Sequence, residues 1–94
     1  MSYTVEIRDA AFEDLNEMPR NLRQRIVRAI EQRLTTAPTH CGVRLRQSLA
    51  GLWKLRVGDY RVVYEIQETT VTVWAIRHRK HVYPVVERRW FRAR

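Results

Sequence analysis

One cysteine, Cys41, stands in a chain of 94 residues. A lone thiol excludes an intrachain disulfide and leaves no cysteine-based zinc set. No stretch approaches the roughly 20 apolar residues of a membrane span, and Met1-Ser2-Tyr3 does not open a signal peptide. A cytoplasmic protein with no membrane partner is therefore expected. Glycine and proline number only three each, so low-complexity and collagen-like chains are excluded. The phosphate-cradling Walker loop, GxGxxG and the GxSxG nucleophile elbow are all missing. Lysine is scarce as well, two residues against sixteen arginines.

What is present is arginine. Eighteen basic against ten acidic residues give a formal net charge of +8. Residues 1–36 carry six arginines and six acids and sum to neutrality, whereas residues 37–94 carry twelve basic and four acidic residues. Read linearly, the whole excess lies in the C-terminal part. Such a surface attracts polyanions by steering and counterion release. Arginine is also the better bidentate phosphate binder. A nucleic acid or an acidic protein is the implied partner.

The chain reads as one small domain, residues 1–94. Tyr3, Val5 and Ile7 alternate with polar residues, as in a strand with one buried face. Asp9 can cap a helix in which Ala11, Phe12, Leu15 and Met18 make the apolar side. Leu22, Ile26, Ile30 and Leu34 mark a second, longer amphipathic helix over about 20–36, stopped at Ala37-Pro38. A loop follows, with a short strand at Val43–Arg46. Three strands, Leu52–Val57, Tyr60–Gln67 and Val71–His78, complete the order β-α-α-β-β-β, with a basic tail over about 84–94. The fold class is α+β, a helical hairpin on an antiparallel sheet.

Gly58-Asp59 is a two-residue hairpin signal. It sets Val57 opposite Tyr60, Arg56 opposite Arg61, Leu55 opposite Val62 and Lys54 opposite Val63. Opposed residues share a face. Trp53, Leu55, Val57, Tyr60, Val62, Tyr64 and Ile66 then form an apolar face, and Lys54, Arg56 and Arg61 gather on the other. Two directly opposed arginines are unfavourable unless an anion lies between them or both point into water. The third strand runs into Arg77-His78-Arg79-Lys80-His81-Val82-Tyr83. Cleaving RNA by its own 2′-hydroxyl needs a base, cations for the phosphorane and an acid for the departing oxygen. Histidine, arginine and a base-stacking tyrosine supply such parts. His78 and His81 have no carboxylate close by in sequence, so no metal site is expected.

Leu49-Ala50-Gly51-Leu52-Trp53-Lys54-Leu55-Arg56-Val57-Gly58-Asp59-Tyr60-Arg61-Val62-Val63-Tyr64, preceded by Leu45-Arg46, resembles the middle hairpin of RelE-type toxins. Ile76 to Tyr83 is similar to the closing segment of the same RelE/ParE superfamily. The resemblance spans about residues 3–83. It implies a microbial-ribonuclease-like fold and the toxin of a type II toxin–antitoxin system. It further implies an endoribonuclease that cuts mRNA in the ribosomal A site by metal-free 2′-hydroxyl attack, without a cofactor. Lys54 matches the family's strand lysine, Arg61 the arginine on the scissile phosphate, and Tyr83 the tyrosine that stacks on the mRNA base. Arg79 or Lys80 takes the place of the late arginine, and His81 is a candidate general base. Arg56, Arg77 and Lys80 are expected on RNA. Arg61, taken as exposed, is expected to matter for toxicity and little for stability.

Two departures stand out: Leu52 where some relatives carry a second lysine, and His81 where an acid is usual. The implied partner is a cognate acidic, RelB-like antitoxin, through which the complex would bind its own operator. Trp90 and Phe91 are read either as anchors for that partner or as residues packing back on the domain. A ParE-like gyrase inhibitor and a non-enzymatic RNA-binding module are the other readings; Lys54 and Tyr83 favour the nuclease.

Overall fold

The alternation at the N-terminus produces β1 (Thr4–Ile7), with Val5 and Ile7 turned inward. Residues 2–93 are described in this computed structural model. Two helices follow, α1 (Asp9–Asn16) and α2 (Arg20–Ala29), with Pro19 as the residue entering α2. No side chain caps α1; Asp9 lies inside its first turn, where a carboxylate still favours the helix dipole. The four-residue recurrence continues past α2 through a wider π-type turn at Ile30–Leu34. Ile26, Ile30 and Leu34 are all buried by it. Phe12 departs from expectation, 54% exposed, because its position in α1 turns outward while Ala11, Asp14 and Leu15 turn in.

The segment read as a loop holds a single turn, α3 (Pro38–Cys41), then a two-residue strand β2 (Val43–Arg44). Next come β3 (Leu52–Val57), β4 (Tyr60–Gln67) and β5 (Thr70–His78). Gly58 takes φ +60°, as a II′ turn requires at its first central residue, and the register of β3 with β4 is the one deduced from the turn. The sheet order is β1-β5-β4-β3-β2. It is antiparallel except at one edge, where β1 joins β5 in parallel. That pairing follows from the helical hairpin, which carries the chain back across the sheet before β2 begins.

The expected apolar face is continuous and packs under α1 and α2. A bulge between Val63 and Tyr64 is opposed by Val73 and Ala75, and leaves Trp74 as the extra residue. Trp74 and Ala75 thus both leave the helical side, and Ile76 returns to it. Tyr64 is fully buried there and its hydroxyl donates to the Pro38 carbonyl at 2.6 Å. Gly42 permits this approach, since a Cβ at that position would fall 1.9 Å from the Tyr64 hydroxyl.

The presumed tail is the largest correction. Residues Val82–Arg92 form α4, which lies on the second face of the sheet. Leu52, Val63, Trp74 and Ala75 meet Val82, Val86 and Trp90 in a second core cluster. The rings of Trp74 and Trp90 meet edge to face at 5.0 Å, a favoured aromatic geometry. Of the two candidate anchors, Trp90 packs back on the domain and Phe91 stays 49% exposed. Basic residues spaced at helical period had masked an amphipathic stripe. No helix among the described residues is long and apolar enough to cross a membrane.

Ile26→Ala is expected to cost about 2–5 kcal/mol in urea denaturation, while Phe12→Ala stays within about 0.5 kcal/mol. Burial pushes the Tyr64 hydroxyl above its ordinary value, with the neighbouring Cys41 adding to the shift; burial likewise raises the Cys41 thiol. A raised value means that the neutral form is the one stabilised by folding. The contribution is complete below the ordinary tyrosine range near 10 and is lost as pH rises beyond it. Stability should therefore fall in strong alkali, and Tyr64→Phe should flatten that fall while lowering stability at neutral pH by about 1 kcal/mol.

Candidate active site

Lys54, Arg56 and Arg61 lie on the second face, beyond the part that α4 covers. Strand alternation puts them there, and α4 adds Tyr83 from its first turn. The Lys54 ammonium donates to the Tyr83 hydroxyl at 3.2 Å and sits 5.7 Å from the centre of its ring. A hydroxyl that accepts from a cation keeps its own O–H free to donate, and is polarised to do so. Lys54 and Tyr83, singled out separately by the resemblance, thus meet across 29 residues of sequence.

Arg56, Arg61 and Arg77 form one row across three adjacent strands, since Arg61 pairs with Arg56 on one side and Arg77 on the other. The three behave differently. Arg56 is exposed. Arg61, expected in solvent, is only 8% exposed, and its Nη1 donates to the Gly58 and Tyr60 carbonyls at 3.0 and 2.9 Å. Those carbonyls partly offset the repulsion along the row. Its Nε and Nη2 have no protein partner among the described residues, so one edge of the guanidinium remains for an anion.

Arg77 is held elsewhere. Its Nε donates to Asp14 at 2.9 Å, and its side chain is only about a third exposed. Asp14 is the residue that sequence reasoning missed. It is buried in α1 and its two oxygens also accept an end-on fork from Nη1 and Nη2 of Arg89 in α4, at 2.8 and 3.1 Å. The same carboxylate accepts the Ile76 backbone N–H at 3.0 Å. Beyond Val73, β5 has no β1 neighbour, and Asp14 takes up a donor that would otherwise be orphaned. Nothing in the spacing flags this; an acid inside an apolar helix face was the available signal.

The late residues make contacts of their own. Arg79 reaches Asp59 at 3.7 Å, with both side chains exposed. Lys80 is exposed, its backbone N–H donating to His78 Nδ1 at 3.1 Å. His81 is exposed, its ring 6.0 Å from that of His78, which in turn meets Tyr60 edge-on at 5.5 Å. His81 lines a cavity of about 220 Å³ with Tyr60, Met18 and Asp14. Among the described residues no hydrogen bond or ion pair joins it to Lys54, Arg61 or Tyr83, and no group of three or more His, Cys, Asp or Glu could hold a metal ion.

The family model for the ParE toxin of the type II toxin–antitoxin system, parDE, matches residues 5–83. Toxin RelG of Mycobacterium tuberculosis is 34% identical over 85 residues, covering 88% of this chain and 98% of the relative. The toxin–antitoxin complex RelBE2 from the same organism contains a chain that superposes with a TM-score of 0.80 at 32% identity, over 83% of this chain and 99% of that one. A mutant of the E. coli toxin RelE in the free state superposes at 0.77 and 17% identity, over 98% of each chain, a likeness of fold.

Removing one partner from a buried ion cluster leaves the others uncompensated. Asp14→Asn is expected to cost about 3 kcal/mol, and Arg61→Ala, which strips two carbonyls of a charged donor, about 1–2 kcal/mol. Chemical denaturation measures both. An unchanged midpoint in Asp14→Asn would remove the cluster from the stability of the fold.

Proposed function

The chain belongs to the RelE/ParE toxin superfamily of type II toxin–antitoxin systems, and from that premise we propose that it is an endoribonuclease cutting mRNA on the ribosome. The observation that carries this reading is the Lys54–Tyr83 contact beside the arginine row. In the reaction the 2′-oxygen bonds to phosphorus and the bond from phosphorus to the 5′-oxygen breaks. The 2′-proton passes to a base and the 5′-oxygen gains a proton. The products are a 2′,3′-cyclic phosphate and a 5′-hydroxyl.

Each residue has a chemical part in this scheme. Lys54 supplies positive charge where negative charge grows, and it orients Tyr83. The Tyr83 O–H donates to a phosphate oxygen, and its ring offers a platform for a base. The unpartnered edge of Arg61 and the exposed Arg56 hold the remaining phosphoryl oxygens, as arginine forks suit. His81, Arg79 and Lys80 form the rim, from which a proton acceptor or donor reaches the site once RNA is bound; apo geometry is often looser than the working complex. A cognate acidic antitoxin neutralises the toxin by covering this basic face; chains of similar fold occur in RelB–RelE toxin–antitoxin complexes.

The family model carries the ParE name, which favours a second reading, inhibition of DNA gyrase by binding. Primer extension on mRNA from cells expressing the chain separates the two. New 5′ ends at in-frame codons are expected. Lys54→Ala and Tyr83→Phe should each lower cleavage about 100-fold or more, the scale for one lost transition-state contact. Intact mRNA with gyrase-dependent DNA breaks would hand the protein to the other reading.

A further inference from the structure

Charge in the N-terminal third is segregated in space, though it cancels along the sequence. Four of its six acids, Asp9, Glu13, Asp14 and Glu17, fall on α1 or just after it, while α2 carries Arg20, Arg23, Arg25 and Arg28. Arg33 follows in the turn that extends α2. Arg25, Arg28 and Arg33 recur at i, i+3 and i+8, one side of a helix. They face the tip of the β3–β4 hairpin across a cleft of about 240 Å³, with Arg56 on the opposite wall. No acid lines this cleft, and none of the four guanidiniums has an ion pair among the described residues. The Arg25 guanidinium lies over Gly58, its nitrogens 3.2 Å from where a Cβ would stand.

We propose that this cleft is a second phosphate site, which grips the RNA backbone away from the reacting phosphate. Four cations around one cleft repel one another unless a polyanion enters. Arg56 joins the cleft to the catalytic face, because it pairs in register with Arg61, and neighbouring strands stand only about 5 Å apart. One strand can thus pass from Arg61 over Arg56 to Arg25 and Arg28. The lining decides between RNA and an acidic peptide. Ala29 and Val57 are its only apolar members, and Val57 is buried. A peptide would find no socket for the side-chain anchors that offset its ordering cost. The site deepens the reading of RNA as target and rests on it.

The test is binding rather than cutting. A fluorescein-labelled 2′-O-methyl oligoribonucleotide keeps the phosphodiester backbone but has no 2′-hydroxyl to attack. Its affinity is titrated by anisotropy over a salt series, using the full chain. Arg25→Gln/Arg28→Gln is expected to reduce the slope of log affinity against log salt by about 1.4, at about 0.7 per phosphate contact on a single strand. At 0.1 M salt the same relation corresponds to binding roughly 25-fold weaker. Arg25→Lys/Arg28→Lys, which keeps both charges, should retain most of the slope, and thermal melting of both variants checks that they fold. An unchanged slope in the glutamine variant overturns the proposal. So does unchanged strand binding alongside weakened binding of a polyglutamate peptide. A wild-type chain that shows the slope yet cuts no mRNA would leave the cleft standing and remove only the nuclease reading.

Discussion

One buried carboxylate ties the molecule together. Asp14 lies in α1, yet its partners are the end of β5 and the last turn of α4. An isolated carboxylate in that position would be strongly unfavourable, and full coordination by two guanidiniums and a backbone N–H is what permits it. The consequence is architectural. The helical hairpin packs on one face of the sheet and α4 on the other, and Asp14 reaches both through the open edge of β5. Because α4 also supplies Tyr83, the position of the Lys54 partner is fixed partly from the opposite side of the sheet.

Local rules were enough for the hairpin. A Gly-Asp turn specified a two-residue connection, and from it four residue pairs and the faces of Lys54, Arg56 and Arg61 followed. The parts that escaped all depend on long-range packing. Residues 84–94 read as a basic tail because arginines interrupt Val86 and Trp90, and only the second sheet face explains why those two are buried. Arg61 read as exposed because its hydrogen bonds are to carbonyls of its own turn, which sequence alone does not aim. The bond of Arg77 to Asp14 escaped because its partner lies 63 residues earlier. The likeness to known toxins conveyed the fold and family; the division of labour among the arginines came from geometry.

That division is the functional content of the charge. Sixteen arginines look interchangeable in composition, but they serve at least three ends. Arg77 and Arg89 compensate a buried acid, Arg8 lies 4.0 Å from the centre of the Trp74 ring, and Arg25, Arg28, Arg33 and Arg56 are left uncompensated around one cleft. A net charge counts all of them equally. A polyanion entering the cleft meets the last group and, beside it, the open edge of Arg61.

The parallel edge carries a consequence for how the protein is made. Thr4 pairs with Thr70, and Arg89 with Asp14, so the first strand and first helix find their partners near the far end of the chain. Contacts so distant in sequence close late, after the consecutive strands β3, β4 and β5 have zipped locally. During synthesis the N-terminal third therefore emerges without its sheet, and Tyr83 emerges after Lys54 is already in place. A chain without α4 would have neither the tyrosine nor the clamp, so the Lys54–Tyr83 contact and the Asp14 cluster both wait on that last helix.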